Sequence, residues 1–115
     1  MIDKNYERNI ALIAGYYAEE HQLIQTAEEC AELAKAAIKR RNALEDIATP
    51  ADRLKASRLA LIEEIADVLV MIEQIIYLEG CEGDVRRVMD EKMQRQIGRI
   101  NNRQMAEDKM KGEGL

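Results

Sequence analysis

The chain has 115 residues, 22 Asp and Glu against 17 Lys and Arg, and a formal net charge of -5, the wrong balance for a DNA or RNA binder whose phosphate contacts demand a basic face. With 47% hydrophobic residues it can bury enough surface to fold as one domain without a staple of disulfides or metal. No run approaches the roughly 20 apolar residues that span a bilayer, and Cys30 and Cys81 are too few and too far apart for a disulfide framework or a four-ligand zinc site, so we expect a cytoplasmic protein with neither membrane nor nucleic-acid partners.

No Phe, no Trp, one Pro and 15 Ala make a helix-former's mixture, and an all-α fold is expected. The first helix is predicted from Asp3, its cap, to about Ala14, with Tyr6, Ile10 and Ile13 at helical spacing and Gly15 breaking or kinking it. A second, from about Glu19 to Arg41, carries Leu23, Ile24, Ala27, Ala31, Ala34, Ala37 and Ile38 on one small-sided face, and Cys30 reads as a small core residue beside them. After a polar connection over 42–49, Thr49-Pro50-Ala51-Asp52 reads as cap, first-turn proline and acidic third position. That helix is predicted to stop at Gly80.

Roughly 30 residues at ~1.5 Å each give about 45 Å, long for a 115-residue globule and suited to an elongated bundle or a subunit lying along a partner. Its second half is apolar on more than one face. Leu61, Ile62, Ile65, Leu69, Ile72 and Ile76 form one stripe, and Val68, Met71, Ile75 and Leu78 widen it beyond what one intramolecular partner covers. An obligate oligomer, with helices packed across the subunit interface, follows. A last helix, capped by Asp84, carries Val85, Val88, Met89, Met93, Ile97 and Ile100. The domain is expected to end near residue 107, with a frayed tail over 108–115.

Two acidic groups sit on these apolar helices: Glu28-Glu29-Cys30-Ala31-Glu32 on the second and Glu64-Ile65-Ala66-Asp67 on the third. Glu29 and Glu32 are three apart, as are Glu64 and Asp67, so each pair projects from one side of its helix. Antiparallel packing would set the pairs face to face. Four converging carboxylates repel one another, and burial raises the cost of their charge; a divalent cation resolves the conflict. Oxygen-only ligation favours Mg²⁺, with Mn²⁺ as a substitute, and Mg²⁺ commonly bridges carboxylates to substrate phosphates. On the last helix Lys92, Arg95 and Arg99 form a basic stripe suited to a departing polyphosphate.

With E-E-x-x-E at 28–32 and E-x-x-D at 64–67, the latter within Glu63-Glu64-Ile65-Ala66-Asp67-Val68-Leu69, the sequence resembles the MazG-like all-α nucleoside triphosphate pyrophosphohydrolases over about residues 5–105. That superfamily also holds dimeric dUTPases and phosphoribosyl-ATP pyrophosphohydrolase. The resemblance implies a four-helix bundle, working as a homodimer or homotetramer, that hydrolyses the α-β phosphoanhydride of a (deoxy)nucleoside triphosphate to monophosphate and pyrophosphate. It implies Mg²⁺ ligands at Glu29, Glu32, Glu64 and Asp67, and a Lys and an Arg after the second motif, where Lys92, Arg95 and Arg99 stand. Related enzymes often carry a glutamine near the substrate, and Gln25 lies one turn before Glu29 on the same face.

Glu28 and Glu29 are the candidate catalytic residues. Glu28 lies about 100° around the helix from Glu29, placed to hold a second metal or to orient the attacking water. Tyr16 and Tyr17 are candidates to stack on a base or to pack in an interface. A different class of function is also compatible with the pattern: a non-catalytic helical dimerisation or partner-binding module, in which the acids only set partner orientation. Within the enzyme class, phosphoribosyl-ATP is the alternative substrate.

Overall fold

The computed structural model describes residues 3–113, and every element among them is helical: α1 (Lys4–Tyr16), α2 (Glu19–Glu45), α3 (Ala51–Glu79) and α4 (Glu82–Glu113). The chain divides into two compact units after Gly80, the first holding α1 to α3 and the second α4. Among the described residues no helix is long and apolar enough to cross a membrane.

Asp3 caps α1, its Oδ1 accepting the Tyr6 N–H at 2.9 Å. The helix continues through Gly15 to Tyr16 instead of breaking, because a glycine in a last turn costs only about 1 kcal/mol. The chain leaves the helix at Tyr17, in extended backbone.

Helix α2 runs one turn beyond the predicted end, to Glu45. The Arg41–Glu45 pair (3.0 Å) and the Asp46 N–H bonded to Asn42 O complete its last turn. Pro50, not Thr49, is the residue flanking α3, and no side chain caps that end. Gly80 stops α3 in the left-handed conformation (φ +60°), where an L side chain is strained. Helix α4 starts two residues before Asp84, which becomes a first-turn acid rather than a cap. It is helical over 108–113 as well, with Gln104 donating to Asp108 one turn on; residues 114 and 115 lie outside the described part.

Helices α2 and α3 pack along each other and α1 packs on α3. The covered positions of α2 include Gln22, Thr26, Glu29, Leu33, Ala36, Arg40 and Ala43; those of α3 include Leu54, Ser57, Leu61, Glu64, Val68, Met71, Ile75 and Leu78, with Gln74 buried beside them. Both series step alternately by three and four, the spacing that keeps a seam facing its partner over a long antiparallel contact.

This seam differs from the faces expected from the sequence. On α2 the predicted set (Leu23, Ile24, Ala27, Ala31, Ala34, Ala37, Ile38) is exposed, and so is Cys30. On α3 the widening residues Val68, Met71, Ile75 and Leu78 form the intramolecular stripe, whereas Ile62, Ile65, Leu69 and Ile72 are 37–49% exposed. Alanines lie all round α2, so hydrophobic periodicity selects no face there; specific polar pairings do. Gln22 meets Gln74, and Arg40 donates to Leu54 O at 2.9 Å and to Ser57 Oγ at 3.3 Å.

A candidate carboxylate metal centre on the seam

An apolar seam is the cheapest place to bury leucine and the costliest to bury charge. The α2–α3 seam nevertheless includes Gln22, Thr26, Glu29, Arg40, Ser57, Glu64 and Gln74, and three kinds of pairing account for most of them. Gln22 is satisfied by Gln74 and by His21, the Thr26 hydroxyl donates to Gln22 O at 2.7 Å, and Arg40 and Ser57 bond each other. Glu29 and Glu64 stand apart: among the described residues neither side chain makes a hydrogen bond. Glu64 Oε2 is a buried oxygen without a partner.

Glu29 and Glu64 lie on the facing sides of α2 and α3, and Asp67, one turn beyond Glu64, reaches the same point from the exposed edge. One carboxylate oxygen from each lies within 4.8 Å of the other two. Only one pair among three oxygens can lie on opposite sides of one Mg²⁺, about 4.2 Å apart, and the adjacent pairs are about 3.0 Å apart, so the side chains must close by up to about 1.8 Å to seat the ion. Three protein oxygens leave half of an octahedral shell for water or phosphate. The donor set is all oxygen and anionic, and its most buried atom lacks any protein donor, so these residues fit a hard divalent cation. Burial is the first cause that holds the Glu64 carboxyl above the usual carboxylate range, followed by the charges of Asp67, Glu29, Glu32 and Glu63.

The other expected site residues fall as follows. Glu32 is outside the group of three and faces solvent, its Oε1 3.4 Å from Lys35 Nζ, an exposed pair worth little; its charge still acts on Glu64. Glu28 is exposed, and Gln25 is half-buried one turn before Glu29. Lys92, Arg95 and Arg99 are exposed on α4. Arg99 donates to Gln96 at 3.5 Å, whereas the ion pairs of α4 involve Arg86 and Arg87 nearer its start.

Two features were not singled out from the sequence. Gln74, the residue most buried against α2, stands with Glu73 between Met71-Ile72 and Ile75-Ile76, a polar residue at a core position and hence a readable signal. Glu19, at the start of α2, has a buried unpartnered Oε1; burial, then the Glu79 carboxylate beside it, then Glu20 hold it above the ordinary range. Nothing in their separate sequence contexts joins Glu19 to Glu79. Beside them Tyr17 stacks on His21 (centroids 5.2 Å apart, planes 10° apart) and meets Tyr16 edge-on at 4.9 Å, so Tyr17 spends one ring face within the protein.

Comparison with protein families, with characterised proteins and with solved structures finds no match.

Proposed function

We propose that the chain is a Mg²⁺-dependent nucleotide pyrophosphohydrolase of the MazG-like kind, a cytoplasmic four-helix, oligomeric enzyme that cleaves the α-β phosphoanhydride of a (deoxy)nucleoside triphosphate. The observation that carries this reading is Glu64, whose buried Oε2 has no hydrogen-bond partner, gathered with Glu29 and Asp67. Among the described residues Gln22, Thr26, Arg40, Ser57 and Gln74 on the same seam each have a partner inside the chain. Acids that break the packing rule with no internal compensation mark a functional position.

Glu29, Glu64 and Asp67 would hold the ion, with Glu32 joining from the next turn of α2 by a rotamer change that gives up Lys35. A bound Mg²⁺ would supply charge neutralisation at the triphosphate and polarise the scissile linkage. Glu28, exposed on the same turn, would accept a proton from water, and Gln25 would donate to the nucleotide. Lys92, Arg95 and Arg99 form a cationic stripe that would stabilise charge on the leaving pyrophosphate.

The test is pyrophosphate release from a panel of nucleoside triphosphates and phosphoribosyl-ATP, with Mg²⁺ and with EDTA, for the wild type and Glu64→Gln. The reading requires metal-dependent release that the substitution removes while the helical circular dichroism stays unchanged. The alternative, a non-catalytic dimerisation or partner-binding module, is favoured by the uncovered Ile62, Ile65, Leu69 and Ile72. It requires a folded, metal-indifferent protein that releases pyrophosphate from none of them.

A further inference from the structure

At the end of the hairpin where α2 gives way to α3, the two helices frame a groove of about 510 Å³ lined by Lys39, Ala43, Thr49, Arg53, Ala56 and Ser57, among others. That volume lies within the roughly 300–1,000 Å³ of small-molecule sites. The groove is centred some 13 residues along α2 from Glu29, about 20 Å at the rise of an α-helix, so it is separate from the carboxylate centre.

Its chemistry is the reverse of that centre. Ala43, Ala56 and Ala60 present methyl groups and no polar side-chain atom. Lys39 and Arg53 bring two positive charges, and among the described residues neither makes an ion pair, unlike Lys35, Arg41, Arg86 and Arg87. The acid in the lining, Asp46, has its Oδ1 engaged by the Ala48 N–H at 2.9 Å. The groove also borders the first turn of α3, where the helix dipole favours negative charge; the Asp52 carboxylate of that turn is engaged by the Arg53 N–H at 3.0 Å. The Ser57 hydroxyl is committed, donating to Leu54 O at 3.0 Å; the Thr49 hydroxyl makes no hydrogen bond among the described residues.

We propose that this groove is a binding site for a small phosphomonoester with a flat apolar body. The phosphate lies between Lys39 and Arg53 with the Thr49 hydroxyl donating to it, and the body lies on the alanine floor. A dianionic head matches the two unpaired cations, and the planar guanidinium of Arg53 can present paired N–H donors to two phosphate oxygens. The floor is shallow because its side chains are single methyl groups, which suits a ring more than a branched chain.

The experiment titrates the full chain with phenyl phosphate, phenol and inorganic phosphate in EDTA, following backbone amides by ¹H–¹⁵N spectroscopy. EDTA keeps divalent cations off the acidic centre, so the result is independent of the pyrophosphohydrolase reading. Saturable binding of phenyl phosphate is expected, with shifts centred on Thr49, Arg53 and Ser57, and binding weaker by about tenfold or more for phenol and for inorganic phosphate. Arg53→Ala and Lys39→Ala should each weaken it by about tenfold, in line with loss of a charge-assisted contact, and Glu64→Gln should leave it unchanged. Ala60→Leu, at an exposed position where added bulk does not disturb the core, should block the aromatic body while inorganic phosphate still binds. Absence of saturable binding overturns the proposal, as does binding that survives both cation substitutions, that is lost in Glu64→Gln, or that is as tight for inorganic phosphate as for phenyl phosphate.

Discussion

Gln22 on α2 and Gln74 on α3 are the most buried polar side chains in the described chain, 3% and 1% exposed, and Gln22 Nε2 donates to Gln74 Oε1 at 2.6 Å. The remaining groups are also used: His21 Nδ1 donates to Gln22 Oε1 at 2.8 Å, and Gln74 Nε2 donates to Val70 O at 3.3 Å. A satisfied polar pair fixes the register of two helices whose alanine and isoleucine faces would accept several. With Gln22 opposite Gln74 and Arg40 opposite Leu54 and Ser57, the register in between sets Glu29 against Glu64.

Removing one member should therefore cost more than removing both. Gln22→Leu leaves the Gln74 amide oxygen buried without its donor, a loss of about 1–3 kcal/mol. The double substitution Gln22→Leu with Gln74→Leu should cost clearly less than the sum of the single ones. Urea unfolding of the four proteins in a double-mutant cycle reads the coupling; additive losses would contradict the pairing.

The raised carboxyls give stability a definite pH dependence. Glu64 and Glu19 are held above the ordinary range in the folded chain, so between the unfolded carboxylate pKa of ~4.3 and their folded values the native state binds more protons than the unfolded one. Their contribution to stability is thus fully present below the unfolded pKa and is lost as pH rises through the folded values. In EDTA at neutral pH, Glu64→Gln should be more stable than the wild type and should show a flatter fall between acid and neutral pH. Mg²⁺ at a given concentration should stabilise the wild type more than the variant. Parallel pH profiles with equal response to Mg²⁺ would count against a strained Glu64.

The uncovered side of α3 makes a separate demand. Ile62, Ile65, Leu69 and Ile72 occur at helical spacing and are 37–49% exposed, and α2 adds Leu23, Ile24 and Ile38 at 44–63%. Apolar surface of this continuity is normally covered. Sedimentation equilibrium should give a mass at least twice the 13.1 kDa of one chain, and Leu69→Lys should shift it to the monomer or abolish folding. A wild type that is folded and monomeric at tens of micromolar would remove the expected oligomer.

Strong local signals in the sequence set the four helices, the Asp3 cap and the Gly80 stop, and these agree with the structure. Cap residues act within one turn, so they can be read without tertiary knowledge. The faces of α2 and α3 are another matter. Where alanine surrounds a helix, burial is decided by what lies across the seam, and Gln22–Gln74 and Arg40–Ser57 are relations between segments 52 and 17 residues apart. The acidic motif was legible as two spaced pairs, and three of its four ligand candidates converge. Glu32 turns to Lys35 because an exposed carboxylate with a lysine one turn away has a cheaper neighbour than three other acids.

The most direct measurement of the central claim is a Mn²⁺ titration followed by electron paramagnetic resonance, with Mg²⁺ as competitor, on the wild type, Glu64→Gln, Asp67→Asn, Glu32→Ala and Glu28→Gln. Saturable binding displaced by Mg²⁺ is expected for the wild type. Glu64→Gln and Asp67→Asn should weaken it by about tenfold or more, Glu32→Ala by less, and Glu28→Gln hardly at all. Absent binding in the wild type, or binding that Glu64→Gln leaves unchanged, would contradict a metal centre built on the α2–α3 seam.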